Sequence, residues 1–134
     1  MKRTIKVLVA MCLVVLLCAG TALAALPRIV GTSSGEQING TKNAEEIRGL
    51  EGSDEISDSL GADLIYGGTG EDNLIGTTSD TSVGRFYGGS GGDIFQPRDI
   101  PAVKDMVSCG PGTDTVYADK ADVVGGDCEQ VEAW

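Results

Sequence analysis

Aspartates that recur in phase with glycines are the residues of this chain best suited to chemistry. The clearest unit, GGTGEDNLI at residues 67–75, has glycine at places 1, 2 and 4, aspartate at place 6 and an aliphatic residue at place 8. Calcium takes oxygen ligands, and glycines let several backbone carbonyls turn toward one point. The chain has no histidine, which disfavours zinc or copper, whereas magnesium would demand stricter octahedral order. The pattern therefore predicts calcium sites.

The apolar residue at place 8 shows how these aspartates would be positioned. It recurs at spacings of 9, 9, 9, 9, 12, 9, 12 and 9 through Ile38, Ile47, Ile56, Ile65, Leu74, Phe86, Phe95, Val107 and Val116. Neither a helix nor a hairpin strand has this period, but a turn of six residues followed by a short strand does. We therefore expect an all-β fold, a solenoid in which successive short strands stack into parallel sheets.

Two insertions distinguish the edges of this predicted solenoid. They fall in the sixth unit, residues 76–87, and the eighth, residues 97–108. With two units per coil, both enlarged turns would lie on one edge. The regular edge would carry Asp54, Asp72, Asp93 and Asp114, and the degraded edge Glu45, Asp63, Asp80 and Asp105. Glu36 and Glu45 are longer than the aspartate that the turn suits, so we interpret them as surface acids.

These units resemble the GGxGxDxUx repeat of RTX, or haemolysin-type, calcium-binding proteins. The resemblance spans residues 31–117 and is complete in the fifth unit and nearly complete in the seventh. It implies a right-handed parallel β-roll with two units per coil and with calcium between consecutive turns. It implies the carboxylate ligands Asp54, Asp72, Asp93 and Asp114, with Asp63 and Gly61 on the weaker edge. It also implies backbone carbonyl ligands from Gly49, Gly52, Gly67, Gly68, Gly70, Gly88, Gly89, Gly91, Gly110 and Gly112. The competing interpretation is that Gly-Asp turns close a solenoid without any ion.

The ends of the chain do not follow the repeat. Residues 1–24 have a basic start, an apolar run and Ala22-Leu23-Ala24 before Ala25, which predicts a cleaved signal peptide and a secreted or cell-envelope protein. An uncleaved anchor and a lipid-modified Cys18 are the alternatives. Residues 25–30 read as a lead-in and 118–134 as a C-terminal cap. In an exported chain the remaining pair, Cys109 and Cys128, is most simply a disulfide.

Charge and composition exclude several functions. Residues 1–24 hold three of the ten basic residues and none of the twenty acidic ones, so the mature chain would be strongly acidic and would repel nucleic acid and anionic membranes. Without histidine, zinc-protease and Ser-His-Asp chemistry are absent, and we expect a monomer that is not an enzyme. We predict calcium binding that drives folding outside the cytoplasm. The alternative is an adhesion or polysaccharide-binding module that uses Tyr66, Tyr87 and Tyr117.

Overall fold

Two parallel sheets make up the regular structure of this protein, whose computed structural model describes residues 25–133; the predicted signal peptide lies outside that range. Sheet A contains β1 (Arg28–Val30), β3 (Glu46–Glu51), β5 (Leu64–Thr69), β7 (Arg85–Ser90), β9 (Met106–Ser108) and β11 (Val123–Val124). Sheet B contains β2 (Gln37–Asn39), β4 (Glu55–Ser57), β6 (Asn73–Ile75), β8 (Ile94–Gln96), β10 (Thr115–Ala118) and β12 (Gln130–Ala133). No helix occurs between residues 25 and 133. The predicted all-β solenoid is confirmed.

The chain alternates between the sheets, so each coil consists of two repeat units. Ile47 lies beside Ile65 in sheet A, and Ile56 lies beside Leu74 in sheet B. All nine place-8 residues are buried between the sheets, as the period predicts. Full burial of such a side chain contributes about 1.5 to 3 kcal/mol, so this column is the main apolar support of the fold.

Parallel pairing continues beyond residues 31–117 at both ends. Strand β1, in the predicted lead-in, pairs with β3, while β11 and β12, in the predicted cap, pair with β9 and β10. The predicted disulfide is present: Cys109 and Cys128 are bonded, with their Cα atoms 5.2 Å apart. It attaches the segment before β12 to the turn before β10.

The enlarged turns lie on one edge of the solenoid. The first connects β6 to β7 and the second connects β8 to β9, so both run from sheet B to sheet A. We call this the A edge, because its turns lead into sheet A. The opposite edge, whose turns lead into sheet B, is the B edge and contains the regular turns. The predicted sorting of insertions to one edge is confirmed.

The second place of the B-edge turns requires an unusual backbone conformation. Gly68, Gly89 and Gly110 have φ angles of +125°, +109° and +94° there. Leu50 occupies the equivalent place with φ of 91° and is the one non-glycine residue with positive φ among those described. A non-glycine residue in this region carries strain of about 1 to 3 kcal/mol. Leu50 is therefore a strained residue in the third unit.

We predict that Leu50→Gly stabilises the protein. Relief of the strained φ should exceed the entropy that glycine adds to the unfolded chain, for a net gain of about 1 kcal/mol. Denaturant unfolding measures the change. Leu60→Gly is the control, because Leu60 has similar exposure and no positive φ. Equal destabilisation by both substitutions would contradict the prediction.

Candidate metal centre

A ladder of carboxylates joins the coils along the B edge. At each turn the backbone N–H of the place-6 residue donates to the carboxylate one coil later. The N–H of Asp54 donates to Asp72 Oδ1 at 2.9 Å, and the N–H of Asp72 donates to Asp93 Oδ1 at 3.0 Å. The ladder continues through Glu36 to Asp54, Asp93 to Asp114, and Asp114 to Glu129. The four aspartates predicted for this edge are therefore brought into one column.

The second oxygen of each B-edge aspartate has no hydrogen-bond donor. Asp54, Asp72, Asp93 and Asp114 are at most 2% exposed, and the Oδ2 atom of each is buried without a partner. A buried carboxylate oxygen without a donor or cation is costly. Because the same oxygen lacks a donor in four successive coils, the unpartnered Oδ2 atom is a regular property of the B-edge turn.

In three of these four units a glycine at place 1 brings the unpartnered oxygen close to a carbonyl of the next coil. A Cβ atom added to Gly67 would overlap Asp72 Oδ2 and would lie 2.6 Å from the carbonyl oxygen of Gly88. Gly88 stands in the same relation to Asp93 and the Cys109 carbonyl. Gly49 stands in the same relation to Asp54 and the Gly67 carbonyl. Two acceptors thus approach one point in each case, an arrangement that suits a cation.

The glutamates of the first coil behave differently from these aspartates. Glu36 accepts from the backbone N–H of Thr32 at 2.8 Å and from its hydroxyl at 2.5 Å. Glu45 accepts from the backbone N–H of Thr41 at 2.8 Å and also from its hydroxyl. Their longer side chains reach back to their own turns. The prediction that Glu45 is a surface acid is wrong, because Glu45 is buried. Both glutamates nevertheless have hydrogen-bond donors to their carboxylates.

The A edge has a less regular ladder. The N–H of Glu45 donates to Asp63 Oδ1 at 2.7 Å, and Asp63 Oδ2 is buried without a partner. However, Asp58 stands where a B-edge turn has its place-1 glycine, and Gly84 stands where the next acid would be. The predicted Asp80 instead accepts from the backbone of its own enlarged turn and from Gly61. The predicted difference in regularity between the edges is confirmed.

Two acids of the ladders were missed by sequence reasoning. Glu129 accepts from the N–H of Asp114, and Asp122 accepts from the N–H of Asp105. Each precedes an apolar strand residue by two positions, as a place-6 acid should, in Val131 and Val124. The signal was present, but the spacing falls below nine residues after Val116, so a search with a fixed period ends too early.

Burial and like charge raise the pKa values of several carboxyl groups. Burial raises the pKa of Asp58 to about 8, with a further contribution from Asp63 and Asp80. Burial also raises the pKa of Asp105 to about 8 and those of Asp63 and Asp93 to about 6. The pKa of Asp72 is raised for the same reason. Ionised carboxylates at these places therefore oppose the folded state when no cation compensates them.

Carboxylates alone do not complete a metal site in the part of the chain that the structure describes. No group of three or more His, Cys, Asp or Glu side chains converges there. Calcium, which takes six to eight oxygens, would need backbone carbonyls and water beside each carboxylate. Glycine carbonyls are close enough between coils to serve as such ligands. Those of Gly52, Gly68 and Gly70 lie against glycines of the following coil. The predicted ligand set stays a prediction.

Comparison with known proteins gave no match to a protein family, a curated protein or a solved structure. None of the described residues forms a helix long and apolar enough to cross a membrane. The disulfide is consistent with an oxidising compartment outside the cytosol. The inference of function therefore depends on the geometry of the turns.

We predict that the metal-free protein becomes less stable as pH rises from about 5 to about 8. Its raised carboxyl pKa values mean that the folded chain binds protons more readily than the unfolded chain, whose aspartates have a pKa of about 3.9. The stabilisation is complete below the unfolded value and is lost as pH passes the folded values. Circular dichroism of the calcium-free protein at both pH values provides the test, because the folded fraction should be larger at pH 5 than at pH 8.

Asp58→Asn should raise stability at pH 8 and flatten this pH dependence. Glu71→Gln makes the same charge change at an exposed residue and should leave the pH dependence unaltered. A calcium-free protein with the same folded fraction at both pH values would contradict the prediction.

Proposed function

We propose that this protein binds calcium between consecutive B-edge turns and is a short RTX-like protein without catalytic activity. The observation that carries the proposal is the recurrence of one acceptor pair: an unpartnered aspartate Oδ2 and a carbonyl oxygen of the next coil, both against a place-1 glycine. The aspartate oxygen of this pair has no hydrogen-bond donor, although the carbonyl oxygen approaches the same point. A hard divalent cation supplies the missing positive charge and accepts oxygens from flexible directions.

Alternative ions fit these turns less well. The described turns offer oxygens and no thiolate or imidazole, since Cys109 and Cys128 are bonded to each other. Zinc and copper prefer such nitrogen and sulfur ligands. Magnesium dehydrates reluctantly and demands near-octahedral order, whereas backbone carbonyls stacked at coil spacing suit the larger and more variable calcium shell.

Calcium would also explain how so acidic a chain folds. After residue 24 the chain has seven basic and twenty acidic residues, and nine acids are buried. Cations bound between the coils would offset both the repulsion and the burial cost, so their binding energy becomes folding energy. An exported protein would meet millimolar calcium outside the cell, where weak sites suffice. We therefore place the folding step after export.

Calorimetric calcium titration tests the proposed ligands. Asp72→Asn keeps an oxygen that can accept from the N–H of Asp54 but removes the charge. We expect the loss of at least one ion, or affinity weakened about tenfold, as the loss of a charge-assisted contact implies. Glu45→Gln is the control, because Thr41 already holds both carboxylate oxygens. Equal weakening by both variants would contradict the B-edge assignment.

Removal of calcium should unfold most of the roll. Circular dichroism of the disulfide-bonded protein should show a disordered spectrum in chelator and a strand-rich spectrum in excess calcium, because carboxylate repulsion returns when the ion leaves. Magnesium at the same concentration is the ionic control and should restore less structure. An unchanged spectrum across the three conditions would overturn the coupling between binding and folding.

A further inference from the structure

Sheet A presents a basic outer face on an otherwise acidic protein. Places 7 and 9 of its strands point outward, and Arg28, Arg48 and Arg85 occupy three of these positions. They are three of the seven basic residues after residue 24. Glu46 is the acid within the same rows, and Glu51 lies at the far end of β3. The described strands of sheet B contain no basic residue. We call the outward rows of sheet A the arginine face.

A column of stacked side chains crosses the arginine face along the solenoid axis. The guanidinium of Arg48 lies 5.0 Å from the ring centre of Tyr66, and the rings of Tyr66 and Tyr87 stack with centres 5.0 Å apart and planes 16° apart. The next residue in register is Ser108. Because serine is small, the column stops there and leaves the outer ring face of Tyr87 without a stacked side chain.

Arg85 lies beside this open ring face and has no acidic partner. It is two residues before Tyr87 on the same strand, so both side chains point to the same face, about 7 Å apart along the strand. Its neighbours in register are Leu64 and Met106. Arg85 makes no ion pair among the residues described here, whereas Arg28 and Arg48 both pair with Glu46. Its guanidinium is therefore free to bind an anion.

Further features beside Arg85 and Tyr87 suit a ligand that has both apolar and hydroxyl groups. A cavity of about 260 Å³ adjoins Arg85, and its walls include Leu26, Leu64 and Val83 together with the acidic residue Asp63. Beyond Tyr87, the hydroxyl of Ser108 donates to Asp127 at 3.0 Å. The Asp127 carboxylate can accept a hydrogen bond from a hydroxyl group of a ligand. The phosphates of a nucleic acid backbone have no such hydroxyl group to donate.

We propose that the arginine face binds a uronic-acid polysaccharide that runs across the solenoid axis, parallel to the strands. A sugar ring stacks on the open face of Tyr87, its carboxylate binds Arg85, and its hydroxyls reach the Asp127 side. Because the rings of Tyr66 and Tyr87 stack along the axis, a sugar stacked on Tyr87 lies across that axis, and neighbouring sugar units extend in the direction of the strand, as Arg85 does. The acidic remainder of the protein repels the same polyanion and confines it to this face. The site goes beyond the proposed calcium binding.

Titration calorimetry with short, soluble oligogalacturonides tests the site on the folded protein. Arg85→Gln should weaken binding about tenfold, as expected for one lost hydrogen bond between charged groups. Tyr87→Leu should weaken it several-fold by removing the stacking surface. Binding should also weaken as salt concentration rises. Neutral glucan oligomers of similar length should bind much more weakly than the uronates.

Arg98→Gln and Tyr117→Leu are matched controls, because this pair lines a separate cavity of about 370 Å³ away from the arginine face. They should leave uronate binding unchanged. Loss of binding in these controls, equal binding of neutral glucans, tighter binding of a single-stranded oligonucleotide, or burial of the arginine face in a dimer seen by light scattering would overturn the proposal. Circular dichroism of each sample separates a lost site from a calcium-dependent loss of fold.

Discussion

The hydrogen bond from a turn N–H to the carboxylate one coil later is the interaction on which the B edge depends. It satisfies a backbone donor that no strand partner can reach, as at Asp54 and Asp72, and it holds the second carboxylate oxygen in a buried place without a donor. The same residue therefore links adjacent coils and creates an uncompensated charge. That charge disfavours the fold when no cation compensates it, and this is the physical basis of the proposed calcium binding.

Close approach between coils explains why glycine is needed where it occurs. A side-chain carbon at Gly67 would overlap Asp72 and the Gly88 carbonyl. The carboxylate ladder therefore requires glycine at place 1. The ladder ends at the first coil, where Glu36 binds Thr32, and at the last coil through Glu129.

The two edges differ because the insertions and substitutions are concentrated on the A edge. There Asp58 replaces the place-1 glycine of one turn and Gly84 replaces the place-6 acid of the next turn on this edge. Neither turn therefore has both the glycine and the acid. Asp80 consequently binds its enlarged turn rather than continuing the ladder. The faces of the solenoid differ independently of its edges. Outward residues on sheet A do not affect the core, so arginine and tyrosine could accumulate there without altering the inward column.

Sequence alone determined the solenoid, the two units per coil, the inward residues, the sorting of insertions and the disulfide, because each of these follows from a period or from a simple pairing. Only the tertiary structure decided which oxygen of each aspartate lacks a donor, that Glu45 turns back to Thr41, and that Tyr66 stacks between Arg48 and Tyr87. These features depend on the register between coils 18 or 21 residues apart. A nine-residue pattern specifies which residues recur, but side-chain length and coil spacing decide which atoms meet.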